Sequence, residues 1–180
     1  MRRVVGGVVS VALLAAAVLP ALPLAPGASA APGHAAASRC PASGLSIWAD
    51  KPAGNAAAGS RYYYLRFTNL SGRTCTLHGS PGVSAVSLSG SRLGPPAGHP
   101  LQRNPAQTLA NGATASALLK IAVASFFAGC HPRLAAGLRV YPPGSTASKI
   151  VPLPLQVCSR ASVTAVGEVG PSNGTELDVP

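Results

Sequence analysis

Acidic residues are scarce in this 180-residue chain, which has four Asp and Glu side chains against fourteen Lys and Arg. Between positions 40 and 166 the single acid is Asp50, and the other three acids follow Val166. Glycoside hydrolysis needs two positioned carboxylates, so a tail acid would have to fold back onto the body. The His-Glu-x-x-His motif of metalloproteases is also absent. We predict that the protein is not an enzyme, and a hydrolase is the least favoured alternative.

Metal-ligand spacings and phosphate-binding loops are missing as well. No C-x-x-C pair occurs. The histidines are far apart in sequence, at His34, His78, His99 and His131. A metal site would need two or three of them to converge, whereas the alternative is that they are ordinary polar residues of loops and turns. No glycine-rich loop opens a helix where a phosphate could bind. The sequence therefore predicts no metal and no cofactor.

The N-terminal segment has the pattern of an export signal. The basic pair Arg2-Arg3 precedes an apolar run, Val4–Leu19, and Ala28-Ser29-Ala30 matches a cleavage site. A transmembrane anchor is the alternative, but the run is short for a bilayer crossing and prolines follow it. Cys40 lies well beyond the cleavage point and lacks an apolar lipobox. We predict a signal peptide over residues 1–30, cleavage near Ala30, and a secreted protein that spans no membrane.

The remaining chain is strongly basic. Residues 40–166 carry eleven Lys or Arg against one acid, so the folded body should attract polyanions through its long-range field. These cations are spread singly along the sequence, not clustered as in a nucleic-acid-binding stripe. We expect no specific nucleic-acid partner. The alternative to an anion site is a solvated basic surface.

Four cysteines are expected to form two disulfides in an exported domain. They are Cys40, Cys75, Cys130 and Cys158. Three pairings are possible, and the sequence alone does not choose among them. We favour Cys40–Cys75 with Cys130–Cys158, because each bridge would tie neighbouring strand regions. In the chain-entropy model, closing loops of roughly thirty residues contributes about 3–4 kcal/mol for each bridge.

Short alternating segments separated by turn residues recur along residues 40–166. They predict strands at 45–49, 61–69, 74–77, 83–88, 113–123, 138–141, 150–157 and 163–166. The alanines of 113–123 would also suit a helix, and the prolines of 150–157 place that strand at a sheet edge. Residues 89–108 are predicted to be a long Pro-rich loop. The pattern indicates an all-β fold, an antiparallel β-sandwich of about seven or eight strands.

The segment 61–69 is the most aromatic of these strands, and alternation gives it two faces. The face that we predict to be core consists of Tyr63, Leu65 and Phe67. The opposite face, our candidate contact surface, consists of Tyr62, Tyr64 and Arg66. Aromatic side chains beside an arginine are typical of carbohydrate- and protein-binding faces. Trp48 joins this surface if its strand pairs nearby, and the alternative is that a second sheet or a loop covers all of it.

Several motifs in the chain resemble a known family. After Cys40 they are Leu65-Arg-Phe-Thr-Asn69, then Cys75-Thr-Leu77 with Gly79-Ser-Pro-Gly-Val83, and later Leu138-Arg-Val-Tyr-Pro-Pro-Gly144. This order is similar to that of secreted or lipid-anchored actinobacterial proteins catalogued as a domain of unknown function, family four-two-three-two of its numbered series. The resemblance covers Cys40 to about Val166. It implies an exported immunoglobulin-like β-sandwich with two disulfides, and it implies no particular activity. Ser80 stands where the family more often has an aromatic residue.

These features predict a domain at residues 40–166, between a flexible lead-in at 31–39 and a disordered tail at 167–180. We predict a secreted, non-enzymatic binding module that contacts an anionic cell-envelope polymer or a protein. The sequence does not name its ligand. The alternative is a secreted inhibitor or effector of an enzyme, acting through the Pro-rich loop 93–105.

Overall fold

A computed structural model provides the structure and describes residues 6–7, 37–50, 56–57, 59–99, 104–159 and 164–172. The chain divides into two compact units, residues 1–35 and 36–180, and the architecture below is that of the second. The predicted signal peptide, apart from Gly6 and Gly7, lies outside the described residues, as do residues 31–36 of the lead-in. Within the described part of the chain, no helix has the length and apolar character needed to cross a membrane.

The second unit is built from β-strands. In chain order they are β1 (Leu45–Asp50), β2 (Ala56–Ala57), β3 (Ser60–Asn69), β4 (Cys75–Leu77), β5 (Gly82–Val86), β6 (Arg92–Leu93), β7 (Gln107–Leu109), β8 (Thr114–Ala122), β9 (Pro132–Tyr141), β10 (Lys149–Cys158), β11 (Thr164–Val166) and β12 (Gly170–Pro171). Two short 3-10 turns, Ala42–Gly44 and Ala124–Phe126, precede β1 and follow β8. All eight predicted strands are present, which confirms the all-β prediction. The four additional strands, β2, β6, β7 and β12, have two or three residues each.

The strands form three antiparallel sheets. The largest has the order β1-β3-β8-β11, with β2 paired to β3 and β12 paired to β8. The second has the order β10-β9-β5-β6, and the third pairs β4 with β7. Strand β10 lies at the edge of its sheet, as predicted, because Pro152 and Pro154 lack the N–H groups that a second neighbouring strand would need. The immunoglobulin-like assignment stays a prediction.

One hydrophobic core lies between the two larger sheets. From β3 it receives Tyr63, Leu65 and Phe67, each no more than 5% exposed. From the second sheet it receives Val83, Leu138, Val140 and Val151. Burying a side chain of this size contributes about 1.5–3 kcal/mol. The two apolar faces therefore hold the sheets together, and the predicted core face of β3 is confirmed.

The two disulfides, Cys40–Cys75 and Cys130–Cys158, pair as we favoured. The first attaches the N-terminal segment to β4, and backbone pairing accompanies it. The N–H of Cys40 donates to Thr76 O at 2.9 Å, and the N–H of Thr76 donates to Ser38 O at 2.9 Å. The last residues of the lead-in, which we expected to be flexible, therefore run beside β4. These backbone bonds to a distant strand leave no mark in the local sequence pattern.

The fold also extends past Val166, where a disordered tail was expected. Strand β12 pairs with β8, and the side chain of Val169 is fully buried. The N–H of Val169 donates to Gly79 O at 3.0 Å. One branched apolar side chain and a free stretch of β8 backbone thus bring residues 167–172 into the structure. Residues 173–180 lie outside the described residues.

Asn69, the last residue of β3, connects the first sheet to the third. Its buried side chain donates from Nδ2 to Arg73 O at 2.7 Å and to Leu109 O at 2.9 Å. Its Oδ1 accepts from the N–H and the hydroxyl of Ser71, at 3.0 and 2.7 Å. A turn follows directly, and Gly72 has a φ of 77° that glycine adopts without strain. One amide thus has both donors and its acceptor satisfied in a buried corner.

We expect Asn69→Ala to lower the free energy of unfolding by about 2–4 kcal/mol, because it leaves several buried polar groups without partners. Asn111→Ala is the matched control. Asn111 also accepts from a backbone N–H, that of Gly72 at 2.9 Å, but its own side chain is exposed. Asn111→Ala should lower the free energy of unfolding by less than about 1 kcal/mol. Urea unfolding followed by Trp48 fluorescence measures both changes, and equal losses would contradict the connecting role of Asn69.

We also expect a chain ending at Gly167 to be less stable than one ending at Ser172, by about 2–4 kcal/mol. The shorter chain loses the buried Val169 side chain and the backbone bonds of β12. Thermal unfolding followed by circular dichroism compares the two, and Val169→Ser in the complete chain separates the side-chain contribution from that of the backbone. Identical unfolding temperatures for both lengths would show that the fold ends at Val166.

Candidate functional site

The predicted contact residues lie on β3, in the middle of the first sheet. The register sets Trp48 of β1 opposite Arg66, and Lys120 of β8 opposite Tyr62. Side chains at paired positions project to the same side of a sheet. The side facing away from the core therefore carries a continuous group that we call the aromatic outer face. It consists of Trp48, Tyr62, Tyr64, Arg66 and Lys120.

Most of the aromatic outer face is accessible to solvent. Trp48 is 45% exposed, Tyr62 and Tyr64 are half-buried, and Lys120 is exposed. The Lys120 ammonium lies 5.9 Å from the centroid of the Tyr62 ring. At that distance the cation is attracted to the ring face, which holds both side chains in one orientation. Neither the second sheet nor a described loop covers these three rings completely.

Arg66 differs from its neighbours because contacts within the protein engage its guanidinium. Its Nη2 lies 3.3 Å from Asp50 Oδ2, and its Nη1 donates to Ser172 Oγ at 3.3 Å. Its Cζ lies 4.7 Å from the centroid of the Tyr64 ring. The Arg66 side chain is 13% exposed, against 42% for Asp50. Its buried Nε has no hydrogen-bond partner among the described atoms. Arg66 therefore positions Tyr64 and anchors the tail.

The tail forms part of this site, which the sequence did not predict. Ser116 of β8 is 8% exposed, and its hydroxyl donates to Pro171 O at 3.2 Å. The following residue, Ser172, is the one that Arg66 contacts. The sequence did not identify Ser116 and Ser172, because serine has no particular preference for contacts between a tail and a sheet. The signal that could have found this segment is Val169, a single branched apolar side chain in an otherwise polar stretch.

The carboxylates of the described residues are both engaged in the fold. Asp50 pairs with Arg66, and Glu168 accepts from the N–H of Asn104 at 2.5 Å. The Asn104 amide in turn donates to Glu168 O at 3.2 Å. Between Asp50 and Glu168 the sequence contains no acid at all. Across the described ranges, no three His, Cys, Asp or Glu side chains come together as a metal site would require.

The described part of the Pro-rich loop lies against the body of the domain. Ala97 is buried, and its N–H donates to Val83 O on β5 at 2.9 Å. Gly98 O accepts from the N–H of Val166 on β11, also at 2.9 Å. The loop therefore bridges the two larger sheets at this point. Residues 100–103 of the loop lie outside the described residues.

Comparison with known proteins identifies the class of this domain. Residues 40–167 match the family described as Domain of unknown function (DUF4232). The match spans well over half of the chain, so the protein belongs to this family. No curated protein and no solved structure matches the chain. The family assignment agrees with the resemblance carried by the sequence motifs, while actinobacterial origin stays an expectation.

We expect Arg66→Gln to lower the free energy of unfolding by about 1–3 kcal/mol, because it removes charge-assisted bonds from a mostly buried group. Lys120→Gln is the matched control on the same face, and its exposed ammonium should change stability by less than about 0.5 kcal/mol. Chemical unfolding measures both. If Arg66→Gln is as stable as the parent chain, its side chain is free to serve as a contact residue instead.

Proposed function

We propose that the protein is an exported, non-enzymatic binding module whose aromatic outer face holds an anionic cell-envelope polymer. The observation that carries this proposal is the strand register, which gathers Trp48, Tyr62 and Tyr64 on one face with Lys120. Flat aromatic rings offer contact area at a low cost in conformational entropy, and the adjacent cation attracts negative charge. An extended polymer can contact such a surface along its length.

The charge balance supports an anionic ligand. The described carboxylates are bonded to Arg66 and Asn104, so they do not neutralise the surrounding cations. The net charge of the chain is +10. A field of this sign draws polyanions toward the surface from a distance, and salt weakens it.

The shape of the interior also supports binding at the surface. The void between the two larger sheets, next to Ile121 and Leu138, measures about 10 Å³. Pockets that enclose small organic ligands measure roughly 300–1,000 Å³. This void therefore has no room for a substrate, and the flat outer face is the better candidate for contact.

Export is part of the same proposal. The leader sequence predicts secretion, and the two disulfides are compatible with an extracellular protein. The alternative, an inhibitor or effector that presents loop 93–105, has less support. Ala97 and Gly98 are bonded to the two larger sheets, so this part of the loop does not project from the domain.

The test is a pull-down of the exported protein on purified cell walls. We expect binding at low ionic strength that is lost near about 1 M salt, where the Debye length is about 3 Å. Tyr62→Ser with Tyr64→Ser should weaken binding about tenfold, since it removes two aromatic contacts. Because Tyr64 contacts Arg66, Tyr62→Ser alone provides a variant with fewer consequences for folding.

The matched control is Tyr141→Ser. Tyr141 is a half-buried tyrosine of β9 in the second sheet, away from the aromatic outer face. Its replacement should leave binding unchanged. Absence of binding at low salt, or an equal loss in the Tyr141 variant, would refute a role for the aromatic outer face.

A further inference from the structure

Two adjacent phenylalanines are exposed on the turn between β8 and β9. Phe126 ends the 3-10 turn and is 72% exposed, and Phe127 follows it at 42%. The turn is firmly tied at both ends. The N–H of Phe126 donates to Val123 O at 3.0 Å, and that of Cys130 donates to Phe127 O at 3.2 Å. The Cys130–Cys158 disulfide then fixes the turn to β10. Neighbouring large apolar side chains exposed on a fixed turn indicate an interaction site more than single ones do.

Further exposed apolar and cationic side chains lie near this turn in sequence or through backbone pairing. Leu134, near the start of β9, is 72% exposed. His131 and Arg133 are exposed between the phenylalanines and Leu134. Arg61, also exposed, follows Gly59, whose carbonyl accepts from the N–H of Val123 at 2.7 Å. We call this group the hydrophobic tip. It consists of Phe126, Phe127 and Leu134 together with Arg61, His131 and Arg133.

A polar depression lies at the start of β9, which follows the phenylalanines in sequence. It has a volume of about 370 Å³, is open to solvent, and is lined by His131, Pro132, Arg133 and Ser159. The Ser159 hydroxyl donates to His131 O at 3.2 Å. An imidazole and a guanidinium beside a serine are the donors that bind phosphate oxygens. Polar and cationic side chains thus follow the exposed phenylalanines closely along the chain.

We propose that the hydrophobic tip docks the protein on an anionic phospholipid surface. The phenylalanines and Leu134 would enter the boundary between headgroups and acyl chains, where aromatic side chains are favoured. His131 and Arg133 would contact the headgroup phosphates. The charge complementarity is strong, because residues 51–167 contain no acid that could repel an anionic surface. This site is distinct from the aromatic outer face.

A membrane surface suits this geometry better than a protein partner. The two phenylalanines lie on an exposed turn, and a fluid interface accepts such side chains without matching their shape. A protein partner would need both an apolar pocket for the phenylalanines and an acidic rim for the cations. Docking of this kind requires no membrane-spanning helix, since interfacial anchoring depends on a few buried apolar side chains and electrostatic attraction.

The experiment is co-sedimentation of the exported, oxidised protein with vesicles of phosphatidylglycerol and phosphatidylcholine, against vesicles of phosphatidylcholine alone. Mass spectrometry of the intact protein first verifies that no apolar leader remains to bind vesicles. We expect stronger partition onto the anionic vesicles than onto those of phosphatidylcholine alone. Phe126→Ser with Phe127→Ser should lower the partition coefficient by about tenfold or more, and Arg133→Gln by roughly fivefold.

Leu88→Ser is the matched control. Leu88 is 95% exposed, but it lies on the turn between β5 and β6, and its replacement should leave partition unchanged. Phe126 lies over Gly59, so its replacement removes a packing contact. If the double variant unfolds at a lower temperature for that reason, Phe127→Ser alone keeps the test valid. Tyr62→Ser should bind vesicles normally, which separates this site from the polymer-binding proposal.

Two results would overturn the docking proposal. One is an absence of partition onto anionic vesicles at low salt. Capture of a protein through the phenylalanines, without binding to vesicles, would be the same result. The other is equal partition by the parent chain and the variant with both phenylalanines replaced.

Discussion

The buried amide of Asn69 fixes the corner at which the first and third sheets meet. Each bond that a buried polar group leaves unmade costs about 1–3 kcal/mol. Asn69 reaches Leu109 of β7 and the turn before β4 at the same time, so one arrangement of these segments satisfies it. Because β4 carries Cys75, the position of the Cys40–Cys75 bridge follows from that corner. The strand that Asn69 ends is also the strand that presents the aromatic outer face.

Local patterns predicted the elements of the fold, and long-range partners completed it. Alternation along β3 was sufficient to predict the strand and its core face, because a period of two is visible within a single segment. The bond from Asn69 to Ser71 follows from local turn chemistry in the same way. Its bond to Leu109 spans 40 positions, and no local pattern encodes that. Strands β2, β6 and β12 have two residues each, which are too few to show a period. The segment predicted as the loop 89–108 contains β6 and most of β7, where its prolines obscured the strand pattern.

The candidate site shows the same division. Alternation separated Tyr62, Tyr64 and Arg66 from the core correctly, but it could not tell which of them is engaged by other parts of the chain. Arg66 meets Ser172, which lies 106 positions away, and this contact depends on the tail returning along β8. Lys120 joined the site through strand register, which the sequence of one strand does not contain. The aromatic surface was thus predictable as a face, while the role of each side chain was not.

The shortage of acids makes both proposed binding sites attractive to anions, but the two sites should differ in their response to salt. With Asp50 paired to Arg66 and Glu168 bonded to Asn104, neither of the described carboxylates neutralises the other described cations. Both sites should therefore attract anions more weakly as salt screens the field. The hydrophobic tip differs because charge screening does not weaken the burial of Phe126 and Phe127. Salts that are excluded from the protein surface strengthen that burial. High salt should therefore abolish binding to the polymer and only reduce binding to the lipid surface, because the hydrophobic tip also buries Phe126 and Phe127.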